Sequence, residues 1–249
     1  MATRNKAMEL DRTLRSIRNQ VVAFDYEIVV ADDGSTDNTR SVCARRHVDK
    51  YTFIPNDTYR NPSVARNVSY RNASGGVVIA QSDDVIHASE NVIERLVLDL
   101  QPGKFIVATV FNWHIGNDGI WHDPIPVLTG RDCQRPFFFL GSLQRRDLYA
   151  VGGNDEDFVA PAFEDDWFGD CLIRGLGLRA VYAESIVGHH QHHDRPANLH
   201  DLVAPSRMLY RQKKRESQEG VAPWCAAGGP WPYVDGRSYF DSELRDDRE

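Results

Sequence analysis

Long apolar runs are missing from this 249-residue chain, and none approaches the ~20 residues that a membrane span requires. The opening residues, MATRNKAMELDR, lack the apolar core of a secretory signal. Cysteine is scarce. The four present, Cys43, Cys133, Cys171 and Cys225, stand far apart with no CxxC pair, which suits reduced thiols and speaks against a zinc site or a disulfide frame. Together these absences make a cytoplasmic protein the expectation, in which the sequons at Asn56, Asn67 and Asn72 are chance. An excess of positive charge is absent too: the formal charge of −7 argues against an extended surface for nucleic acid or anionic lipid. Internal repeats and long low-complexity segments are also lacking.

What is present is an alternation of helix and strand patterns. Leu10, Leu14 and Ile17 are spaced for one helical face. Residues 27–31 read as a buried strand closed by Asp32-Asp33-Gly34-Ser35, followed by a polar helix over 36–46 and a short strand over 51–54. Pro62 opens a helix over 63–72, as proline does in a first helical turn. Val77-Val78-Ile79-Ala80 is a further buried strand, and Val92, Ile93, Leu96 and Val97 mark the next helix. Such alternation predicts an α/β fold with a mostly parallel sheet flanked by helices. A first strand is expected before Thr3, where only Met1-Ala2 stands. The second half is less regular. A strand is predicted over 104–113, a tight turn at Asn117-Asp118-Gly119, and a helix through Trp167, Cys171, Leu172 and Leu176 that Gly175 and Gly177 stop. From about Arg211 the chain turns basic, then rich in Gly, Pro and Trp.

Three polar clusters stand out. Asp83-Asp84 closes an apolar strand, and two adjacent carboxylates there make either a solvated turn or a site for a hard divalent cation. Asp32-Asp33 ends another strand, and in parallel sheets ligands bind beyond the carboxyl ends, so both pairs are expected to face one crevice. Phe163-Glu164-Asp165-Asp166-Trp167 sets three acids at a helix start between large aromatics. The helix dipole favours acids there, but the aromatic flanks imply a partly buried carboxylate with a raised pKa. His189, His190, His192 and His193 fall within five residues and offer nitrogen ligands to complete an Asp-based cation site; H-x-x-H spacing occurs twice, so the ligand is not singled out.

In order along the chain, Thr3-Arg4-Asn5, residues 28–39 (IVVADDGSTDNT), Ser63-Val64-Ala65-Arg66-Asn67, Ala80-Gln81-Ser82-Asp83-Asp84, residues 141–158 and Glu164-Asp165-Asp166 resemble the family 2 glycosyltransferases of the GT-A fold. The carboxyl-terminal half is also similar to galactosyl- and N-acetylgalactosaminyltransferases. The resemblance covers roughly residues 3 to 193. One departure is clear: the first aspartate of the family's DxD motif is Gln81 here, which shifts the metal role onto Asp83 and Asp84.

The resemblance implies a GT-A domain over 1–205, with a nucleotide-sugar-binding half over 1–100, an acceptor-binding and catalytic half over 101–205, and an irregular extension over 206–249. It implies an inverting, hexosyl- or N-acetylhexosaminyl-transferring enzyme that uses a nucleotide-sugar, with UDP as the expected carrier, Mn²⁺ or Mg²⁺ as cofactor, and a carbohydrate or other hydroxyl acceptor. Thr3, Arg4, Asp32, Asp33, Arg66 and Asp83 would bind the donor, with Asp32 reading the base and Arg66 facing the diphosphate. Asp83, Asp84 and the four histidines would hold the metal. Asp165 would be the general base with Glu164 beside it, and Gly141, Ser142, Asp166 and Trp167 would meet the acceptor. The competing readings are a sugar nucleotidyltransferase, a retaining transferase, and a catalytically inactive glycan-binding or scaffolding module. A nucleotidyltransferase opens with a Gly-rich basic loop that ATRNKAMEL does not supply.

Overall fold

The computed structural model describes residues 1–113, 125–128, 136–193 and 198–235. The turn expected at Asn117-Asp118-Gly119 lies outside the described residues. Three parallel strands, β1 (Ala2–Thr3), β2 (Val29–Asp32) and β3 (Lys50–Phe53), form one sheet in the order β1-β2-β3. Helices α1 (Ala7–Arg18), α2 (Thr39–Arg45) and α3 (Ser63–Asn72) connect and cover them. Leu10, Leu14 and Ile17 of α1 are buried as their spacing predicts, against Ile28, Val30, Val42 and Ile93.

The second sheet is built from β4 (Val77–Gln81), β5 (Val85–His87), β6 (Lys104–Trp113), β7 (Ile125–Leu128), β8 (Leu140–Gln144) and β9 (Arg179–Gln191). Its order is β4-β8-β6-β9-β5, with β7 on β6, and β6–β9 is its parallel pair. The β4–β8, β6–β8, β6–β7 and β5–β9 pairs are antiparallel, so this second sheet is mixed where the first is parallel. Helix α4 (Val92–Leu98) covers it with Val92 and Leu96 buried.

The two acidic strand ends thus belong to two hydrogen-bonded sheets, not one. The short β1 pairs its two residues with Ala31 and Asp32 of β2. Beside it a cavity of about 410 Å³ separates Ile28 and Val29 from Val77, Val78 and Ile79, with Ile17, Ile93 and Val97 also lining it.

Among the described residues, helices α5 (Arg145–Ala150), α6 (Glu164–Asp170), α7 (Leu199–Leu202) and α8 (Ala204–Gln218) follow, and a π-helical turn, Cys171–Gly175, prolongs α6. The expected division between residues 205 and 206 falls inside α8. The segment beyond α8 packs on the main core. Trp224 stacks on Trp167 (ring centroids 5.5 Å apart), and Trp231 meets Tyr149 edge-on at 5.3 Å with the Arg71 guanidinium 4.4 Å from its own ring. Burying these rings is worth more than leaving them to solvent, since each aromatic carries a large apolar area. Trp224→Ala is therefore expected to destabilise the protein by about 2–4 kcal/mol, a fall of several degrees in Tm on thermal melting. A change under one degree would mean that the segment after α8 lies loosely on the domain.

Candidate active site

The loop between β1 and α1 and the end of β2 form the first wall. Asn5 takes a left-handed backbone (φ 50°), and its side-chain oxygen accepts the Thr36 amide at 2.7 Å while its own amide donates to Ser35 Oγ at 2.8 Å. Gly34, at φ +80°, lies so close to Asn56 that an added Cβ would stand 1.9 Å from the Asn56 carbonyl oxygen, so only glycine fits this turn. Thr3 is buried and pairs in register with Asp32. Asp32, also buried, accepts from Tyr51 Oη at 2.6 Å and from the Ser35 amide at 2.8 Å. Arg60 grips both oxygens of Asp33, Asn56 donates to the same carboxylate at 3.0 Å, and Arg4 donates to the carbonyls of Asp33 and Asn56. Both carboxylates at this strand end are held rigidly.

The second wall is the turn between β4 and β5. Gln81, which replaces the first motif aspartate, acts as a clamp. Its amide donates to the Val85 carbonyl at 2.8 Å, and its oxygen meets His87 Nε2 at 2.9 Å. Burial pushes the His87 imidazole down to about 3, so it is neutral at ordinary pH. The turn so clamped carries Asp83 and Asp84, both buried. From the far side, the Gln191 amide donates to the Asp84 carbonyl at 2.8 Å and locks the end of β9 against the turn. In that register His190 lies opposite Val85, and its Nε2 comes 3.5 Å from Asp84 Oδ2; His193 Nε2 is 3.6 Å from the same oxygen. Asp84, His190 and His193 each present a ligand atom within 4.8 Å of the others, and Asp84 Oδ1 is buried without a hydrogen-bond partner. A carboxylate and two imidazoles with one oxygen unsatisfied fit a divalent transition metal.

The sequence left four histidines open, and strand alternation divides them. His189 turns to the other face of β9, with its ring edge-on to Phe111 at 6.4 Å, and His192 is exposed beyond the strand. Neither joins the cluster. Asp83 stands beside it, 3.5 Å from Lys6 Nζ, while Lys6 comes within 2.5 Å of Asp84 Oδ2. Burial, aided by the neighbouring Asp84 charge and opposed by Lys6, pushes Asp83 up to about 6. For Asp84 burial acts in the same sense, but His190 and Lys6 outweigh it and hold the carboxyl well below its usual range.

The third wall begins α6. Ala162 and Phe163 both adopt left-handed backbone (φ 68° and 69°), a strained pair immediately before Glu164. Glu164, Asp165 and Asp166 are all buried in the first helical turn. Arg66, from α3, donates to Asp165 Oδ1 at 2.7 Å and to Glu164 Oε1 at 3.4 Å, and Asn61 donates to Glu164 Oε2 at 3.0 Å. Buried acids need a counter-charge, so the guanidinium expected at the diphosphate is instead engaged with this pair. Burial first, then the charges of Glu164 and Asp166, raise Asp165 to about 6 against the pull of Arg66.

Three residues expected at the acceptor are interior. Gly141 and Ser142 lie in β8 between β4 and β6. A Cβ on Gly141 would stand 2.5 Å from the Ile106 carbonyl oxygen, and Ser142, fully buried, donates to the Leu96 carbonyl at 2.6 Å. Trp167 is 2 % exposed, and its indole N–H donates to the Cys225 carbonyl at 3.3 Å. All three are therefore packed into the scaffold. Asp166, by contrast, stays in the acidic turn. The residues that sequence reading missed are Lys6, Arg60, His87 and Gln191. Each gains its meaning from a partner that no local spacing marks.

A family model described as "Glycosyl transferase family 2" matches residues 1–158. The chain is 30% identical over 218 residues to validoxylamine A glucosyltransferase of Streptomyces hygroscopicus subsp. jinggangensis, covering 72% of this chain and 50% of that protein. It is 23% identical to the chondroitin synthase of Escherichia coli over 88% of this chain and 39% of the other. The chain thus spans about half or less of the length of these curated relatives. Among solved structures, a mannosyltransferase from Pyrobaculum calidifontis in complex with GDP-Man and Mn²⁺ superimposes with a TM-score of 0.58 at 19% identity, covering 89% of this chain and 64% of that one. Glucosyl-3-phosphoglycerate synthase from Mycobacterium tuberculosis, in complex with Mn²⁺, UDP and glucosyl-3-phosphoglycerate, gives 0.58 at 18% identity, covering 97% and 89%. At such identities the likeness establishes the shared fold.

Proposed function

The chain belongs to glycosyltransferase family 2 and has the GT-A fold, and from that premise we propose that it is a metal-dependent, inverting enzyme moving a hexosyl or N-acetylhexosaminyl group from a UDP-sugar to a hydroxyl acceptor. The observation that carries the proposal is the convergence of Asp84, His190 and His193 at the family's metal-motif position. A bound Mn²⁺ or Mg²⁺ there would supply positive charge to the departing diphosphate. Two imidazoles in the donor set favour Mn²⁺ over Mg²⁺. Asp83, beside the cluster, would meet the donor.

At the other wall Asp165 is the proposed base. Arg66 donates to Oδ1 and leaves Oδ2 with no hydrogen-bond partner among the described residues. That oxygen would accept the acceptor hydroxyl's proton as the hydroxyl oxygen attacks the anomeric carbon from the face opposite the diphosphate, which inverts the centre. Glu164 fixes Arg66, and Asp166 shapes the acceptor side. Asp32 and Asp33, held by Tyr51 and Arg60, form the proposed wall for the base and ribose with Thr3 and Arg4.

The proposed hexosyl or hexosaminyl donor rests on motif resemblance read in the sequence alone. Among the described residues no helix is long and apolar enough to cross a membrane. Cys43, Cys171 and Cys225 are free thiols, which supports a cytoplasmic place.

Thermal melting with Mn²⁺ and a series of nucleotides tests the donor reading. UDP at a hundred times its Kd is expected to add about 2.7 kcal/mol of stability, a rise of roughly 5–10 °C. ADP and GDP should give much less. Equal shifts with every base would remove the uridine assignment, and no shift with any would remove the donor site.

A further inference from the structure

The residue that stands on the candidate metal oxygen is Lys6. It lies just ahead of α1, and its ammonium is 2.5 Å from Asp84 Oδ2 and 3.5 Å from Asp83 Oδ1. Asp84 Oδ2 is also the atom that faces His190 and His193 at 3.5 and 3.6 Å. An ammonium has three donors and no lone pair, so it cannot share in coordination. A dication held by this carboxylate, through Oδ2 or through the unpartnered Oδ1, would sit close to a like charge, and at such separations in a buried site the repulsion is strong. Nor can Asp83 and Asp84 stand buried side by side without some cation. Lys6 meets that need, and its side chain is 30% exposed, which gives the flexible stem room to withdraw.

We propose that Lys6 is a resident counter-ion of the metal site: it holds Asp84 while the donor is absent and yields that oxygen to a cation arriving with a diphosphate. The displaced ammonium then pairs with the diphosphate oxygens, a charge-assisted contact that offsets its loss of Asp84. The site would therefore resist a bare divalent cation and accept cation and nucleotide together. By linkage each then tightens the other's binding by the same factor. This inference rests on the metal reading above and adds a positioning role for a residue that the acidic motifs do not mark.

Calorimetric titration of the full chain with Mn²⁺, with and without saturating UDP, tests it on wild type, Lys6→Met and Lys6→Arg. Methionine keeps the stem and removes the charge. For wild type the expectation is weak Mn²⁺ binding alone and at least about tenfold tighter binding with UDP. Lys6→Met should bind Mn²⁺ alone about tenfold more tightly than wild type and gain less from UDP, while Lys6→Arg keeps the wild-type pattern. If Lys6→Met binds bare Mn²⁺ no better than wild type, the counter-ion role is overturned even though the metal site stands. If wild type binds no Mn²⁺ even with UDP, the metal reading itself falls, and this inference with it. Melting curves check that each variant folds, and Lys6→Gln carries the same test if the methionine variant does not.

Discussion

Asp165→Asn is expected to lower turnover by about 10²–10⁴, some 3–5 kcal/mol of barrier, while donor affinity stays near wild type. The asparagine keeps the shape and can still accept from Arg66, which now donates to Asp165 Oδ1 at 2.7 Å. What it cannot do is take a proton at the second position. Asp165 sits buried with a carboxyl raised to about 6, so it is protonated, and unable to act as a base, at acid pH. The pH profile of kcat/KM for wild type should accordingly fall on the acid side of about 6, and the variant should lose that limb. Asp166→Asn should cost less, because it has no proton to move. The opposite ranking, measured by steady-state kinetics on both variants, would shift the base one residue along the helix.

Removal of the proposed metal carboxylate should be nearly as severe. Asp84→Ala is expected to abolish tight Mn²⁺ binding in the presence of UDP and to cut transfer by roughly 10²–10³, since the leaving diphosphate loses its positive partner. The fold should survive, because the hydrogen bond that ties β9 to this turn uses the Asp84 backbone carbonyl and not its side chain. His190→Ala and His193→Ala should weaken Mn²⁺ in the same assay. His189→Ala should not, as its ring lies against Phe111. Electron paramagnetic resonance of free Mn²⁺ reads all four variants. Undiminished binding by Asp84→Ala would sink the assigned cluster, and a loss in His189→Ala equal to that in His190→Ala would mean that the β9 register is wrong.

Much of this arrangement was legible without coordinates. Helical period alone placed Leu10, Leu14 and Ile17 in the core, and Pro62 set the start of a helix that runs over Ser63–Asn72. The adjacent carboxylates at strand ends, the acids in a first helical turn and the run of histidines announced where polar chemistry would gather. Local patterns carry that much because side-chain periodicity follows from backbone geometry within a few residues.

The partners are another matter. Lys6 meets Asp84 across 78 residues and Arg66 meets Asp165 across 99, and no spacing rule reaches that far. Which histidines face the acids was decided by the pairing of β5 with β9: His190 opposite Val85 turns inward, so His189 must turn away. A shift of one residue would have exchanged them. Gly141, Ser142 and Trp167 read as an acceptor wall from their place near family motifs; that β8 runs between two neighbours and that Trp167 stacks on Trp224 was decided by the fold. The residue types and their local faces were written in the chain; which charge answers which was left to tertiary packing, because a buried carboxylate takes whatever cation the fold brings within a few ångströms.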